Sequence, residues 1–295
     1  MSIAFVTGAN SFLGGTLVRH LLESGRQVRG LIRPGANDIL LRDLSIERIS
    51  GDIMEPETYR DALSGCDELY HVAASYTQDL DQLARMEETN TAGTKLVLEA
   101  ALNAGIARLL HTSTIGTIGQ PPDGSLATEN CAFNLPNPTA YVRSKLAGEQ
   151  IAMALAQQGG HIVIVNPTAM LGPGDWRPTA SGRRVLDFLE GRIPRYPAGG
   201  INWSPVYDVA QGMIQAVERG QPGRRYILGY HKGNLDCEGF LTLLTQASGL
   251  PIPQPPRPDL RSRAKALLRR SQTRPVVTEP SSIGSAPDRL TCDPT

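Results

Sequence analysis

The strongest constraint in this 295-residue chain is the alternation of short apolar runs with helical patterns over its first 170 residues. Residues 3–6 read as a strand and are followed by a glycine-bearing turn. Leu17, Val18, Leu21 and Leu22 then recur at helical spacing, and Gly25 ends that helix. Further strands are expected at 28–32, 46–49, 68–73, 109–113 and 162–165, with helices at 89–103 and 141–157. Parallel strands need crossover connections, and crossover helices cover both faces of the sheet. Right-handed crossovers then give an α/β, doubly wound parallel sheet. Beyond Asn166-Pro167 the pattern loosens into turn-rich stretches such as Gly172-Pro173-Gly174, with a strand at 225–228 and a helix at 236–247. The expected division is 1–170 for the sheet domain and 171–295 for a smaller region, of which about 203–230 packs back on the sheet. Residues 251–258 (PIPQPPRP) read as a stiff extended linker. Residues 259–271 read as a helix with one basic face (Arg261, Arg263, Lys265, Arg269, Arg270), either solvated or touching an anionic ligand or membrane surface.

Composition narrows the function classes. Lys+Arg and Asp+Glu number 29 each, so zero formal charge gives no footprint of a nucleic-acid binder. Cys66, Cys131, Cys237 and Cys292 lie far apart, without the spacing of a metal or redox site, as expected of thiols in a reducing cytoplasm. No run approaches the ~18–20 apolar residues of a membrane span, and the N-terminus lacks a leader-like pattern. A soluble, cytoplasmic protein without metal is the expectation.

Thr7-Gly8-Ala9-Asn10-Ser11-Phe12-Leu13-Gly14 joins the first strand to the first helix. Such a turn directs backbone N–H groups and a helix N-terminus at a pyrophosphate, as in a Rossmann fold. Glycines alone also fit an ordinary strand-to-helix turn; their placement adds the specificity. Tyr141 and Lys145, four apart, share one face of a helix that follows a strand ending His111-Thr112-Ser113-Thr114. A phenol, with an ordinary pKa of about 10, becomes useful for proton transfer when an ammonium stands beside it.

These segments, with His71-Val72-Ala73-Ala74, the VIVNPTAMLGPGD run and RRYILGY, resemble the extended short-chain dehydrogenases/reductases of the NAD-dependent epimerase/dehydratase type. The resemblance covers about residues 3–230 and is nearest to the dihydroflavonol-4-reductase-like group, which includes bacterial hopanoid-associated sugar epimerases. It implies a smaller C-terminal substrate-binding region. It also implies that Gly8, Asn10, Ser11, Phe12, Leu13 and Gly14 cradle a dinucleotide. Ser11 departs from the family's T-G-x-x-G-x-x-G pattern at the middle glycine, where a demand for positive φ would strain it. Asp52 and Ile53 would contact the adenine, Val72, Ala73 and Ala74 would let the cofactor backbone approach, and Pro167 and Met170 would pass the nicotinamide. Ser113 would lie beside that ring and Thr114 would polarise the substrate oxygen. Tyr141 would exchange the proton, and Lys145 would hold the ribose. Asn90 would support the site structurally, and His71 reads as a strand residue rather than a catalyst.

Ile32 stands where an NAD-preferring relative carries an acid, and Arg33 follows it. A guanidinium suits a 2′-phosphate, so NADP(H) is favoured, with NAD(H) the alternative. Reduction of a ketone or aldehyde on a mostly apolar small molecule, or the reverse oxidation, is the first reading. A nucleotide-sugar epimerase or dehydratase is the second, with Arg177, Arg183, Arg184 and Arg195 as candidate diphosphate contacts. A non-catalytic NADP(H) sensor is the third, disfavoured by the retained Tyr–Lys pair. The resemblance further implies a homodimer through the helices at 89–103 and 141–157. The segment at 290–295 resembles the lead-in to a final helix that relatives possess.

Overall fold

The computed structural model describes residues 2–197 and 199–254. The expected helix at 259–271, Cys292, the second half of the Pro-dense stretch and the segment at 290–295 lie outside the described residues. The chain divides into two compact units, Met1–Ser181 with Ile201–Asn234, and Gly182–Gly200 with Leu235–Thr295.

The first unit begins with β1 (Ile3–Thr7), α1 (Phe12–Glu23), β2 (Gln27–Ile32), β3 (Glu47–Ser50) and β4 (Glu68–His71). It continues through α2 (Leu83–Asn103), β5 (Arg108–Thr112), α3 (Ala140–Gln157), β6 (Ile162–Pro167) and β7 (Ala169–Leu171). After α4 (Ala180–Leu189), which runs into the second unit, come β8 (Ile201–Pro205), α5 (Val206–Arg219) and β9 (Arg225–Leu228). Seven strands form one parallel sheet in the order β3-β2-β1-β4-β5-β6-β9. The doubly wound α/β fold expected from the sequence is therefore present. Strand order reverses between β1 and β4, and the crevice beyond the carboxyl ends there is where such sheets hold ligands. β7 and β8 pair in parallel outside the main sheet.

Successive strand side chains point to opposite faces, so a strand buried on both sides must be apolar throughout. Ala4 and Val6 pack on one face with Leu17, Val18 and Leu21 of α1 and Val209, Met213 and Val217 of α5. Phe5 lies on the other face with Val97, Leu98 and Ala101 of α2 and Ala152 and Leu155 of α3. The structure departs from the sequence expectation in several places, α4, β7 and β8 among them. α2 begins at Leu83, six residues before 89, with Gln82 at its N-cap making no side-chain cap. The stretch 206–219 forms a further helix, α5, with buried Val206, Val209, Ala210, Met213, Ile214 and Val217 at helical spacing.

In the second unit, α6 (Cys237–Ser248) is capped by the Asp236 carboxylate, which accepts the Gly239 N–H at 2.8 Å. Its buried Phe240 rests against Tyr196, ring centroids 5.4 Å apart. The Tyr196 hydroxyl donates to the Leu235 carbonyl at 2.8 Å.

One row across the main sheet is polar: Thr7 pairs in register with His71, and His71 with His111. The Thr94 hydroxyl donates to the Asn90 carbonyl (2.8 Å), so it accepts from His71 Nε2 at 3.1 Å. His71 Nδ1 then accepts from the Thr7 hydroxyl at 2.8 Å. Both ring nitrogens of His71 are thus committed, which suits the strand residue expected from the sequence. His111, 5.5 Å away ring to ring, is buried with no hydrogen-bond partner at either nitrogen among the described residues. Burial, reinforced by the Lys145 charge, pushes both imidazoles below their ordinary range, His71 to about 3.

This has a thermodynamic consequence. Above the unfolded value of about 6.5 both states are neutral and nothing is at stake. Below it the unfolded chain binds protons that the folded chain refuses, so stability falls as pH drops toward 3. Each histidine contributes a slope of about 1.4 kcal/mol per pH unit. Urea denaturation between pH 7 and 4.5 should give His111→Phe a shallower loss than wild type, by about one proton. Equal slopes would mean that His111 accepts a proton in the folded state.

Candidate active site

The turn after β1 is shaped by backbone contact. Gly8 has φ +67°, and a Cβ there would come within 2.8 Å of the Ala73 backbone. A Cβ on Gly14 would sit 2.1 Å from the Gly8 carbonyl oxygen. Only glycine lets the turn, the start of α1 and the end of β4 close together. Ser11 corrects the expectation of strain. Its φ is −79° and ψ 168°, ordinary extended geometry, and its hydroxyl caps α1 by accepting the Gly14 N–H at 3.0 Å. The middle position of this turn therefore needs no glycine, and the Ser11 hydroxyl proton stays available to an acceptor.

The side chains of Phe12 and Leu13 are buried, anchoring the first turn of α1, whose N–H groups have no intrahelical acceptor. That first turn holds no acidic residue to repel an anion. Asn10 Nδ2 donates to the Asn37 carbonyl at 2.9 Å, tying the turn to the loop after β2. Arg33, at the start of that loop, is exposed and its guanidinium makes no hydrogen bond or ion pair among the described residues. Asp52 Oδ1 accepts the Met54 N–H at 3.0 Å, leaving the second carboxylate oxygen free, and Ile53 beside it is buried. The Thr7 hydroxyl accepts the N–H groups of Val72 and Ala73, each at 3.2 Å; Ala74 beyond them is exposed. Pro167 ends β6 buried, and Met170 is half-buried in β7.

Past β5, Ser113 and Thr114 diverge. The buried Ser113 hydroxyl donates to Glu149 Oε2 at 2.6 Å. The Thr114 hydroxyl accepts the Gly116 N–H at 3.3 Å, and its own proton has no acceptor among the described residues. On α3, capped by Thr139, the residues Tyr141, Lys145 and Glu149 follow one another at four-residue spacing along one face. The Tyr141 ring meets Tyr76 edge-on, with centroids 5.1 Å apart. Asn90 clamps the surroundings: its Oδ1 accepts the Ser75 N–H at 2.7 Å, and its Nδ2 donates to Ser144 Oγ at 2.9 Å.

Sequence reasoning missed Glu149, Thr117, Arg225 and Tyr76. Glu149 had a readable signal, a charge on the same helical face as Tyr141 and Lys145. The others are joined to the site only by tertiary contact.

Lys145 is 2% exposed and makes no hydrogen bond or ion pair among the described residues. Burial pushes its amine down to about 8, with Glu149 opposing. Burial pushes the Tyr141 phenol up to about 12, and Tyr76 adds to the rise. The lowering of the phenol by its lysine, expected from the sequence, is not the balance in this arrangement. Among the described residues, no cluster of His, Cys, Asp and Glu could hold a metal ion. Of the candidate arginines for a diphosphate sugar, Arg177 belongs to the first unit, and Arg183, Arg184 and Arg195 to the second, where Arg184 Nε donates to the Arg195 carbonyl at 2.8 Å. No helix among the described residues is long and apolar enough to cross a membrane.

A dinucleotide fits these residues: the glycine cradle, the acid-free N-terminus of α1 and a buried amine without a partner are complementary to phosphates and ribose hydroxyls. Fold and site together define a dinucleotide-dependent enzyme of the Rossmann class. The chain belongs to the NAD dependent epimerase/dehydratase family, whose model matches residues 4–229. It is 40% identical over 255 residues to a putative dihydroflavonol 4-reductase of Synechocystis sp., covering 85% of this chain and 74% of the relative. It is 35% identical to sterol demethylase protein B of Methylococcus capsulatus, covering 85% and 77%. Among solved structures it resembles PA4631, a nucleoside-diphosphate-sugar epimerase from Pseudomonas aeruginosa. That match has a TM-score of 0.75 and 26% identity, and covers 91% and 84% of the two chains. The family's members are NAD(P)-dependent reductases, epimerases and dehydratases, and this chain is an enzyme of that family.

A buried amine whose folded pKa lies near 8 against 10.5 is a burden while it carries charge. The penalty is complete below about pH 8 and vanishes as pH rises toward 10.5. Lys145→Met should therefore be more stable than wild type at pH 7, by up to about 3 kcal/mol. Denaturation at pH 7 and pH 10 should show that advantage shrinking. A less stable variant at pH 7 would show that Lys145 is satisfied rather than strained.

Proposed function

We propose that this enzyme uses NADP(H) to reduce a ketone or aldehyde on a mostly apolar molecule. The observation that carries the reading is the distribution of protons at the carboxyl ends of the strands. Ser113 donates its hydroxyl hydrogen to Glu149 in a hydrogen bond, while the Thr114 hydroxyl has one still to donate. Tyr141, held near 12, is protonated at neutral pH. A carbonyl oxygen between Thr114 and Tyr141 would thus meet two donors, the arrangement that stabilises charge developing on oxygen. The bound dinucleotide supplies the hydride in this reaction. Tyr141 gives its proton to the carbonyl oxygen, Thr114 polarises that oxygen, and Lys145 orients the ribose and restores charge balance near the phenol. A phenol kept protonated favours the reductive direction.

Arg33 supports the choice of NADP(H). An exposed guanidinium without a partner, after a strand that ends on Ile32 rather than an acid, offers a fork to a 2′-phosphate and does not repel it. The turn residues Gly8 to Gly14 would hold the pyrophosphate, Asp52 and Ile53 the adenine, Val72 to Ala74 the cofactor backbone, and Ser113, Pro167 and Met170 the nicotinamide end. α2 and α3 lie side by side, and a homodimer through that layer belongs to the same proposal. The likeness to a sugar epimerase favours one competing reading, interconversion of a nucleotide sugar without net change in the dinucleotide.

The test is NADPH consumption with a panel of dihydroflavonols, steroid ketones and aromatic aldehydes, beside incubation with nucleotide sugars. Net oxidation of NADPH by a carbonyl is expected. Tyr141→Phe should lower that rate by about 100-fold or more while dinucleotide binding persists. Arg33→Ala should weaken NADPH about tenfold and leave NADH unchanged. Conversion of a nucleotide sugar with constant absorbance would replace the reductase reading with the epimerase one.

A further inference from the structure

Glu149 is 1% exposed, and four side chains converge on its carboxylate. Oε2 accepts from Ser113 Oγ (2.6 Å), Thr117 Oγ1 (2.7 Å) and Asn166 Nδ2 (2.9 Å). Oε1 faces Arg225 Nη1 at 3.3 Å. Each of these neighbours can donate, Thr117 sharing its one hydroxyl proton with the Thr114 carbonyl at 2.8 Å, which is the environment of an ionised, acceptor-only carboxylate. The other end of Arg225 is held in turn: its Nη2 donates to the carbonyls of Glu129 and of Cys131, the latter at 3.1 Å. The cluster therefore joins α3, the loop after β5, the end of β6 and the edge strand β9. It meets the proposed catalytic face through Lys145, one helical turn away.

We infer that Glu149 is a positioning residue: its buried carboxylate, anchored by Arg225, accepts the Ser113 hydroxyl hydrogen bond so that, of the two adjacent hydroxyls, Thr114 is the one left to donate, and it sets a fixed negative charge beside Lys145. The inference rests on the proposed roles of Thr114 and Lys145 but has consequences independent of turnover. A buried ammonium needs a compensating charge to stay protonated. The charged and titratable groups coupled to Lys145 are Glu149 on its own helix, His71 on β4 and His111 on β5; from α2, Asn90 bonds Ser144 and Thr94 bonds His71, both uncharged. Both imidazoles are held neutral, so Glu149 is the anion of this set.

The full chain contains four lysines, Lys95, Lys145, Lys232 and Lys265, few enough for NMR titration of 13Cε-labelled lysine, with Lys145→Met giving the assignment. Glu149→Gln keeps the shape and removes the charge, so the Lys145 midpoint should fall by roughly half a pH unit or more. Arg225→Gln removes the counter-charge and should move the midpoint upward. If Glu149→Gln does not fold, the upward shift in Arg225→Gln decides. An unmoved or rising midpoint in Glu149→Gln, or a falling one in Arg225→Gln, overturns the inference. With any carbonyl that the wild type reduces, Glu149→Gln should lose about tenfold in kcat with NADPH affinity retained. A lost affinity with unchanged kcat also counts against it. The titration reads Glu149 even if no carbonyl is reduced, and so separates failure of this inference from failure of the reductase reading.

Discussion

The Glu149–Arg225 ion pair is the contact on which the carboxyl half of the sheet depends. β9 is an edge strand, paired only with β6 within the main sheet. Its first residue, Arg225, reaches across to a helix 76 residues earlier and to the loop carbonyls of Glu129 and Cys131. The Glu129 carboxylate returns the contact by accepting the Ile227 N–H at 3.0 Å. A buried ion pair adds little net stability over an apolar replacement, since both charges leave water. Breaking one partner is another matter, because it strands the other charge in low dielectric. Such a pair is better understood as fixing where things lie: the end of β5, the end of β6 and α3 are tied to one carboxylate.

Around that contact the interior changes character. Toward the amino ends the strands bury mostly apolar side chains, and the one buried carboxylate there, Glu68, is paired with Arg26 and Arg108. Toward the carboxyl ends the same layers bury Thr7, His71, His111, Ser113, Lys145, Glu149 and Asn166. Both nitrogens of His111, Asn166 Oδ1 and the neighbouring Thr112 Oγ1 have no hydrogen-bond partner among the described residues. Unsatisfied buried groups are rare in folded chains and each lowers stability. Apart from Thr245 Oγ1 on α6, these atoms lie at the carboxyl end of the main sheet, the end where the site is proposed. The apolar layers of α1 with α5 and of α2 with α3 supply the burial that makes this tolerable.

The fold was legible where the pattern was local. The spacing of Leu17, Val18 and Leu21, the apolar runs of β1 and β2, and Asp236 before α6 each carry their own signal. The start of α2 was not legible, because Gln82 offers no cap and Met86 is the single buried residue of its first two turns. α5 had a clear helical repeat, but it begins directly after Pro205, without a cap, in a turn-rich stretch. Tyr141 and Lys145 could be read because helical spacing joins them. Ser113, Thr117, Asn166 and Arg225 meet Glu149 across separations of 36, 32, 17 and 76 residues, and no local rule reports such contacts.

Ser11 and Ser113 illustrate how hydrogen-bond accounting refines a motif. Both lie where the family resemblance expects contact with a dinucleotide. At Ser11 the oxygen is used, by the Gly14 N–H, and the proton is spare. At Ser113 the proton is used, by Glu149. The first can still donate to a phosphate oxygen; the second can only accept, for instance from an amide N–H. The same accounting separates Ser113 from Thr114, two adjacent hydroxyls that spacing cannot distinguish. Reducing a carbonyl requires donors at its oxygen, and among the two the threonine has a proton left to give. In the proposed reduction the choice between them is therefore made by a carboxylate one turn beyond the lysine, not by the β-strand that carries them.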